Sequence, residues 1–387
     1  MAVVAVQIGE EAVTVSNYDT VTLTIDLLAP GSPWTLTLHR IDPPARWARV
    51  KAAAKLYATV AVTIDGAIQV RGVIRRRRSG ADRQGATLTI SGTDFAGLAQ
   101  VAEVPFGFQL KNTTLVAAIE RLYAPLGIPV TVGASAEDAR ATLARTRPGS
   151  RGGRRARHHH TVDLVKATPG ETIQQLADAL CRRYGYLLHT APFGSGVGLV
   201  IDRPAYDAPV LYRLTRIRQP GDPERYAGNI LDGARDIDGT RVPTSVTVFG
   251  HTGAHDASDA HVRGYVENSR LRDHPLVALG SYGVDRYVRD KRARTPAVAL
   301  RRGEREIARA MGDFETYTTH VAGFAFGARL WASNGMCRVD DDVEDLHDDW
   351  LITQVEFAQG RPIGQRTRLR LIPKNGLVLE PDTDTAS

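Results

Sequence analysis

Cysteine is almost missing from this chain: Cys181 and Cys337 are the only two among 387 residues. Two thiols exclude a disulfide framework and a four-thiolate metal site, and they suit assembly in a reducing cytoplasm. Long hydrophobic runs are missing as well. No stretch reaches the roughly 18 apolar residues of a membrane span. The opening segment Met1–Glu10 has no basic lead and only a short apolar run, so it reads as a first β-strand rather than a secretion signal. The chain also lacks a Gly-x-Ser-x-Gly elbow, a phosphate-cradling Gly-Lys-Ser/Thr and a His-Glu-x-x-His pair, and with them the signatures of the serine hydrolases, P-loop NTPases and zinc peptidases. The glycines of Gly194-Ser195-Gly196-Val197-Gly198 lie in a hairpin, not between a strand and a helix.

A 43% hydrophobic and 24% charged composition is that of ordinary globular domains, and the length allows two to four of them. Net charge is +6, and much of the excess is local. Arg140, Arg145, Arg147, Arg151, Arg154, Arg155 and Arg157 follow one another with no acid between them, next to His158-His159-His160. The segment 133–161 is therefore expected to be an exposed Arg/His-rich loop. Arg75-Arg76-Arg77-Arg78 is a second basic run. Neither run is interleaved with aromatics, which leaves a nucleic-acid reader without base-stacking groups.

Alternation with a period of two dominates the two ends. Val3–Ile8, Thr20–Leu27 and Trp34–Leu38 read as strands, with Ala29-Pro30-Gly31-Ser32-Pro33 as a turn. Val60, Val62 and Ile64 face Ile68, Val70 and Val73-Ile74 across Asp65-Gly66, the signal of a tight hairpin. Leu88 and Ile90 add a third strand, and a short helix follows from Thr93-Asp94 through Leu98. Later strands are expected at Val210–Leu214, Ser245–Phe249, Thr316–Phe324, Met336–Val339, Leu351–Phe357 and Thr367–Leu371.

Helical patterns cluster in the middle. Residues 112–124 carry Leu115, Ile119 and Leu122 on one stripe, with Asn112 or Thr113 as cap and Pro125 and Gly127 as stop. Residues 168–185 carry Ile173, Leu176, Ala177, Leu180 and Tyr184, with Thr168-Pro169-Gly170-Glu171 as the start signal. Cys181 sits beside that stripe and reads as a small buried residue. Ile128–Val132 is a further strand, and Tyr186–His189 with Val197–Asp202 a hairpin. A last helix runs from Thr295-Pro296 to Met311 with Leu300, Ile307 and Met311 inward, after a polar excursion at 251–295.

Two clusters invite a chemical reading. Residues 339–350 hold seven acids and His347 in twelve positions. Their order does not match a calcium-binding helix–loop–helix, and an acidic hairpin loop that meets a basic one across an interface is the simpler reading. His251, His255 and His261, with Asp256 and Asp259, have zinc-compatible side chains in a polar arm. No catalytic, cofactor-binding or metal residue is assigned, and no cofactor is expected.

The order of these pieces resembles the central baseplate hub proteins of contractile phage tails, of the phage Mu type and the late-control protein D family. Four stretches carry it: Val60–Ile74, Thr89–Ala99 with its Gly-x-Asp, Thr168–Leu188 with Gly-Glu-Thr before an amphipathic helix and Gly-Tyr-Leu-Leu after it, and Trp350–Pro373, whose strands end in Leu-x-Leu-Ile-Pro. The resemblance implies a mainly β fold in which two tube-like β-barrel domains, 1–103 and 209–380, flank a small α+β domain, 104–208. Helix 296–311 and the arm 251–295 belong to the second barrel, and a disordered tail, 381–387, follows. It further implies a non-enzymatic homotrimer that joins a hexameric tail tube to a trimeric central spike. Tape-measure or other baseplate proteins are further partners, and DNA passes through the channel without specific binding. Such a hub is assembled in the bacterial cytoplasm, resides in the virion tail baseplate and makes no stable membrane insertion. The competing readings are the same hub in a phage-derived injection particle or bacteriocin, a metal-dependent cell-wall hydrolase, and a basic nucleic-acid-binding module.

Overall fold

The computed structural model describes residues 2–9, 11–40, 43–82, 85–136, 161–193, 196–240, 242–250, 262–268, 285–290, 293, 295–312, 314–361, 364–374, 376–377 and 379. The chain divides into two compact units, residues 1–233 with 319–371, and residues 234–318 with 372–387. It is mainly β, as the alternation predicts.

The first part of the chain forms β1 (Val4–Ile8), β2 (Val13–Val15), β3 (Thr20–Asp26), β4 (Pro33–His39), β5 (Thr59–Ile64), β6 (Ala67–Asp82) and β7 (Gly85–Asp94). The Asp65-Gly66 turn is as expected: both residues have positive φ, 50° and 80°, and Ile64 pairs with Ala67. Val60, Val62, Ile64, Val70, Leu88 and Ile90 are all buried. Gly72 and Gly92 sit where β6 and β7 approach most closely. A Cβ on Gly72 would run into the Thr93 carbonyl, and one on Gly92 into the Val73 carbonyl. Helix α1 (Pro44–Ala53) has no counterpart in the sequence reading. Only Trp47 and Val50 on it are buried, so its apolar stripe is too thin to announce a helix.

The middle carries β8 (Gln109–Thr114), α2 (Leu115–Tyr123), β9 (Val130–Val132), β10 (Thr161–Lys166), α3 (Ile173–Arg183), β11 (Leu187–Phe193) and β12 (Gly196–Asp202). Both helix starts differ from expectation. Residues 109–114 are held in β8 by pairing with β10, so the cap of α2 is Thr114, whose hydroxyl accepts the Ala117 N–H at 3.1 Å. Gly170 has φ +80°, which a right-handed helix cannot contain, so Thr168–Glu171 forms its own turn. Helix α3 starts four residues later than Thr168-Pro169 suggests, at a capping box between Thr172 and Gln175. The expected stripe Ile173, Leu176, Ala177, Leu180 and Tyr184 is buried, as is Cys181, against Leu115, Ile119 and Leu122 of α2. The hairpin β11–β12 is antiparallel from Leu187↔Asp202 to Phe193↔Gly196, and β9 joins β12 in parallel.

The last part forms β13 (Val210–Gln219), β14 (Asp222–Gly228), β15 (Ile230–Ile237), β16 (Ser245–Phe249), β17 (Arg263–Glu267), β18 (Asp285–Arg289), α4 (Pro296–Gly312), β19 (Glu315–Ala322), β20 (Ala325–Phe326), β21 (Arg329–Leu330), β22 (Met336–Asp341), β23 (Leu346–Gly360) and β24 (Gly364–Pro373). One large sheet runs β14-β13-β22-β23-β3-β4-β7-β6-β5-β1-β2, with β15, β19 and β24 branching from β23. The β-rich ends of the chain are thus hydrogen-bonded to each other: β23 pairs with β3 from Gln354↔Asp26 to Gly360↔Thr20. Val21, Leu23, Val355 and Phe357 at this seam are buried.

In the second unit β16 lies between β17, antiparallel, and β18, parallel. Two of these strands fall within 251–295, a stretch without legible periodicity. Helix α4 buries Ala299, Gly303 and Met311 with half-buried Ile307, whereas Leu300, expected inward, is 41% exposed. The reason is close packing: a Cβ on Gly303 would meet Val266, and one on Gly264 would meet Ala299. Small residues, not the large leucine, face the sheet. Residues 137–160, including His158–His160, the segment His251–His261 and the residues 381–387 lie outside the described residues.

Candidate functional site

The acidic stretch 339–350 becomes the end of the β22–β23 hairpin, with Asp342–Asp345 as its turn. Its carboxylates are engaged by arginines of the neighbouring strand. Strand β13 runs parallel to β22 and places Arg216 beside Asp341. Arg216 Nε donates to Asp341 Oδ1 at 2.7 Å and Arg216 Nη2 to Asp341 Oδ2 at 2.6 Å, a two-pronged pair with the Asp341 side chain fully buried. Arg213 donates to Asp340 at 2.9–3.0 Å, and Arg338 lies 3.3 Å from Asp340 and 3.5 Å from Asp349. The Arg218 backbone N–H donates to Asp342 at 2.7 Å. The acids therefore fasten a strand seam. Among the described residues no group of three His, Cys, Asp or Glu is arranged to hold a metal ion. Sequence reading finds the acids but not their partners, because Arg213 and Arg216 are more than a hundred positions away and nothing local marks them.

Two polar joints knit the middle to the flanking strands. Asn334, at φ 61°, accepts the Ala205 N–H at 2.9 Å and donates to Asp202 at 3.0 Å and to the Arg203 carbonyl at 2.9 Å. The Ser32 and Thr190 hydroxyls are 3.0 Å apart. Asp94, the acid of the expected Gly-x-Asp, is 1% exposed and accepts the backbone N–H groups of Ser32 at 2.9 Å and Gly97 at 2.8 Å. It immediately precedes Phe95 and the short 3-10 helix Ala96–Gln100, which begins later than the helix expected from Thr93-Asp94 through Leu98. Burial pushes its carboxyl above the usual carboxylate range, against the pull of those donors.

Of the remaining buried titratable groups, Asp178 and Cys181 act on each other's charge, and with Asp94 they act on buried Tyr123. Burial pulls His189 down to about 4; its Nδ1 lies 3.3 Å from the Thr190 carbonyl, and among the described residues its Nε2 has no partner. Burial raises Asp178 to about 6, with Arg182 acting against it. Both cysteine thiols are buried, unbridged and pushed up by desolvation. An open groove of about 470 Å³ is lined by Val210, Leu211, Tyr212, Phe326 and the paired Arg213, Arg338 and Asp349, with Trp331 stacked on Tyr212 at 4.8 Å between ring centres. The groove's Arg213, Arg338 and Asp349 belong to the ion pairs of the strand seam. Arg75–Arg78 line an exposed stretch of β6, and no helix of the described residues is long and apolar enough to cross a membrane.

No family model matches this chain, and no curated protein matches it. Solved structures do. The tail protein from Neisseria meningitidis MC58 superposes with a TM-score of 0.73 at 20% identity, covering 98% of each chain. The 43 kDa tail protein of prophage MuSo2 from Shewanella oneidensis superposes with 0.72 at 18% identity, covering 97% of this chain and 99% of that one. The E. coli c3393 protein, a type VI secretion component described as similar to the T4 tail proteins gp27 and gp5, gives 0.50 at 10% identity, over 94% of this chain and 76% of its own. The chain has the fold of prophage tail proteins, the fold that its resemblance to Mu-type tail hubs leads one to expect.

Proposed function

We propose that this protein is the structural baseplate hub of a contractile phage tail, a homotrimer that seats the central spike beneath the tail tube. The observation that carries the reading is end-to-end likeness to two prophage tail proteins, with nearly the whole of each chain covered. The sheet adds a physical reason. Its two β-rich ends are already joined through β3 and β23, and β2 and β14 stand at the ends of its path as strand edges. Open edges of this kind are satisfied by pairing with another chain, and closed rings leave none. In this reading 1–103 and 209–380 are the tube-like domains and 104–208 the α+β insert. Three copies of two such domains match a sixfold tube, and DNA passes along the axis without tight phosphate contacts. The protein works as an adaptor without catalysis in the virion baseplate. The test is co-expression with candidate tube and spike proteins. Co-purification of a complex containing three copies of this chain supports the hub; a chain that binds neither protein contradicts it.

A further inference from the structure

We propose that the outer edge of β6 at Arg75–Arg78 docks a second copy of this chain through that copy's acidic turn, Asp342–Asp348. The inference rests on the hub reading only in that the contact would serve a closed ring.

The edge is open. Pairing of β6 with β5 ends at Val73↔Thr59, and the last backbone bonds on that side join Ile74 to Tyr57 and Ala58. Pairing with β7 continues far beyond, through Arg76↔Ser91, Arg77↔Ile90 and Arg78↔Thr89 to Asp82↔Gly85. Arg75 is the extra residue of a bulge at the point where β5 leaves. From there β6 has a strand on one side only, and Arg75, Arg76, Arg77 and Arg78 are all exposed. They lie on both faces of the sheet, since Arg77 shares the face of buried Ile90 while Arg76 and Arg78 share that of Ser91 and Thr89. Among the described residues none of the four has a carboxylate within ion-pair distance. Four adjacent like charges repel one another and favour an acidic partner.

The same chain carries a complementary surface. In the acidic hairpin, Asp340, Asp341 and Asp349 are taken by Arg213, Arg216 and Arg338. Among the described residues Glu344, Asp345 and Asp348 hold no arginine, and the Asp345 side chain is 99% exposed. The register forbids these acids from meeting the arginines within one copy. Thr20, Thr37, Thr89 and Arg78 form one row across β3, β4, β7 and β6, at the start of β3. The acidic turn lies past the other end of β3, because β23 leaves β3 at Gln354↔Asp26 and continues to Leu346. A basic edge at one end of a sheet and an acidic turn at the other make a head-to-tail contact, the kind that closes rings between identical subunits. Complementary charge then sets register and excludes wrong pairings.

The test uses the full chain and light scattering across a salt series. Reversing the basic edge (Arg75→Glu with Arg76→Glu, Arg77→Glu and Arg78→Glu) is expected to weaken self-association by about tenfold or more, and Glu344→Lys with Asp345→Lys and Asp348→Lys by a similar factor. Both reversals placed in one chain should restore it. The unaltered protein should lose association between about 50 and 500 mM salt. As a check independent of reversed-charge folding, Arg77→Cys with Asp345→Cys should give an oxidised band linking two copies. Self-association unchanged by either reversal, no recovery in the combined variant, or a monomer at low salt overturns the proposal, and the arginines are then only a guard against strand aggregation. Salt-dependent DNA binding by the edge with assembly unchanged overturns it in favour of a nucleic-acid contact. Each of these results can occur with tube and spike binding intact, so the hub reading stands or falls separately.

Discussion

Asp341 and Arg216 show how much one residue pair can decide. The carboxylate is fully buried and bonded twice, while the guanidinium keeps 15% exposure. Replacing only Asp341 with Asn takes the paired carboxylate from a largely buried guanidinium. Urea unfolding of Asp341→Asn should show a loss of about 3 kcal/mol or more, whereas Arg216→Met with Asp341→Leu should recover most of it. Equal losses in both variants would mean that the pair itself, not the orphaned charge, matters. His189 and Asp178 give opposite pH signatures. The folded protein holds His189 neutral down to about pH 4, while the unfolded chain takes up that proton near 6.5. Stability from this group is complete above 6.5 and is lost as pH falls towards 4, by about 1–2 kcal/mol at pH 5. Asp178 is held at about 6, above its ordinary value of 3.8, so its ionisation costs stability above pH 6 and the cost disappears as pH falls to 3.8. His189→Gln should flatten the acid limb of unfolding midpoints, and Asp178→Asn should stabilise at pH 7.5 but not at pH 4. Identical pH profiles for the variants and the parent protein would refute both assignments.

At the scale of elements, local chemistry was legible where a turn or cap depends on neighbours in sequence. Asp65-Gly66, the β11–β12 hairpin and the α3 stripe all stand where alternation and helical spacing put them. Errors arose where a distant strand or a backbone angle decided. Asn112 looks like a cap, but β10 recruits it into β8; Thr168-Pro169 looks like a start, but Gly170 turns the chain left-handed first. Leu300 looks inward, but Gly303 and Gly264 bring helix and strand too close for it. The acids at 339–350 were visible, while the arginines that satisfy them are visible only in the folded sheet. These causes predict distinct losses. Thr172→Ala removes one arm of the capping box and should cost about 1 kcal/mol. Gly92→Ala puts a methyl group against the Val73 carbonyl and should cost more, with β6–β7 amides losing protection from hydrogen exchange. A Gly92→Ala protein as stable as its parent would show that the strands can separate at no cost.

At the scale of the whole molecule, the central claim is that the chain is a ring-forming adaptor. The two β-rich ends already share one sheet through β3 and β23. Composition excludes a disulfide-built shell. The most direct measurement is light scattering coupled to size exclusion on the chain co-expressed with a candidate spike protein. The account predicts a complex containing three copies of the 42.1 kDa chain. A chain that elutes alone as a monomer, with the spike recovered separately, would contradict it.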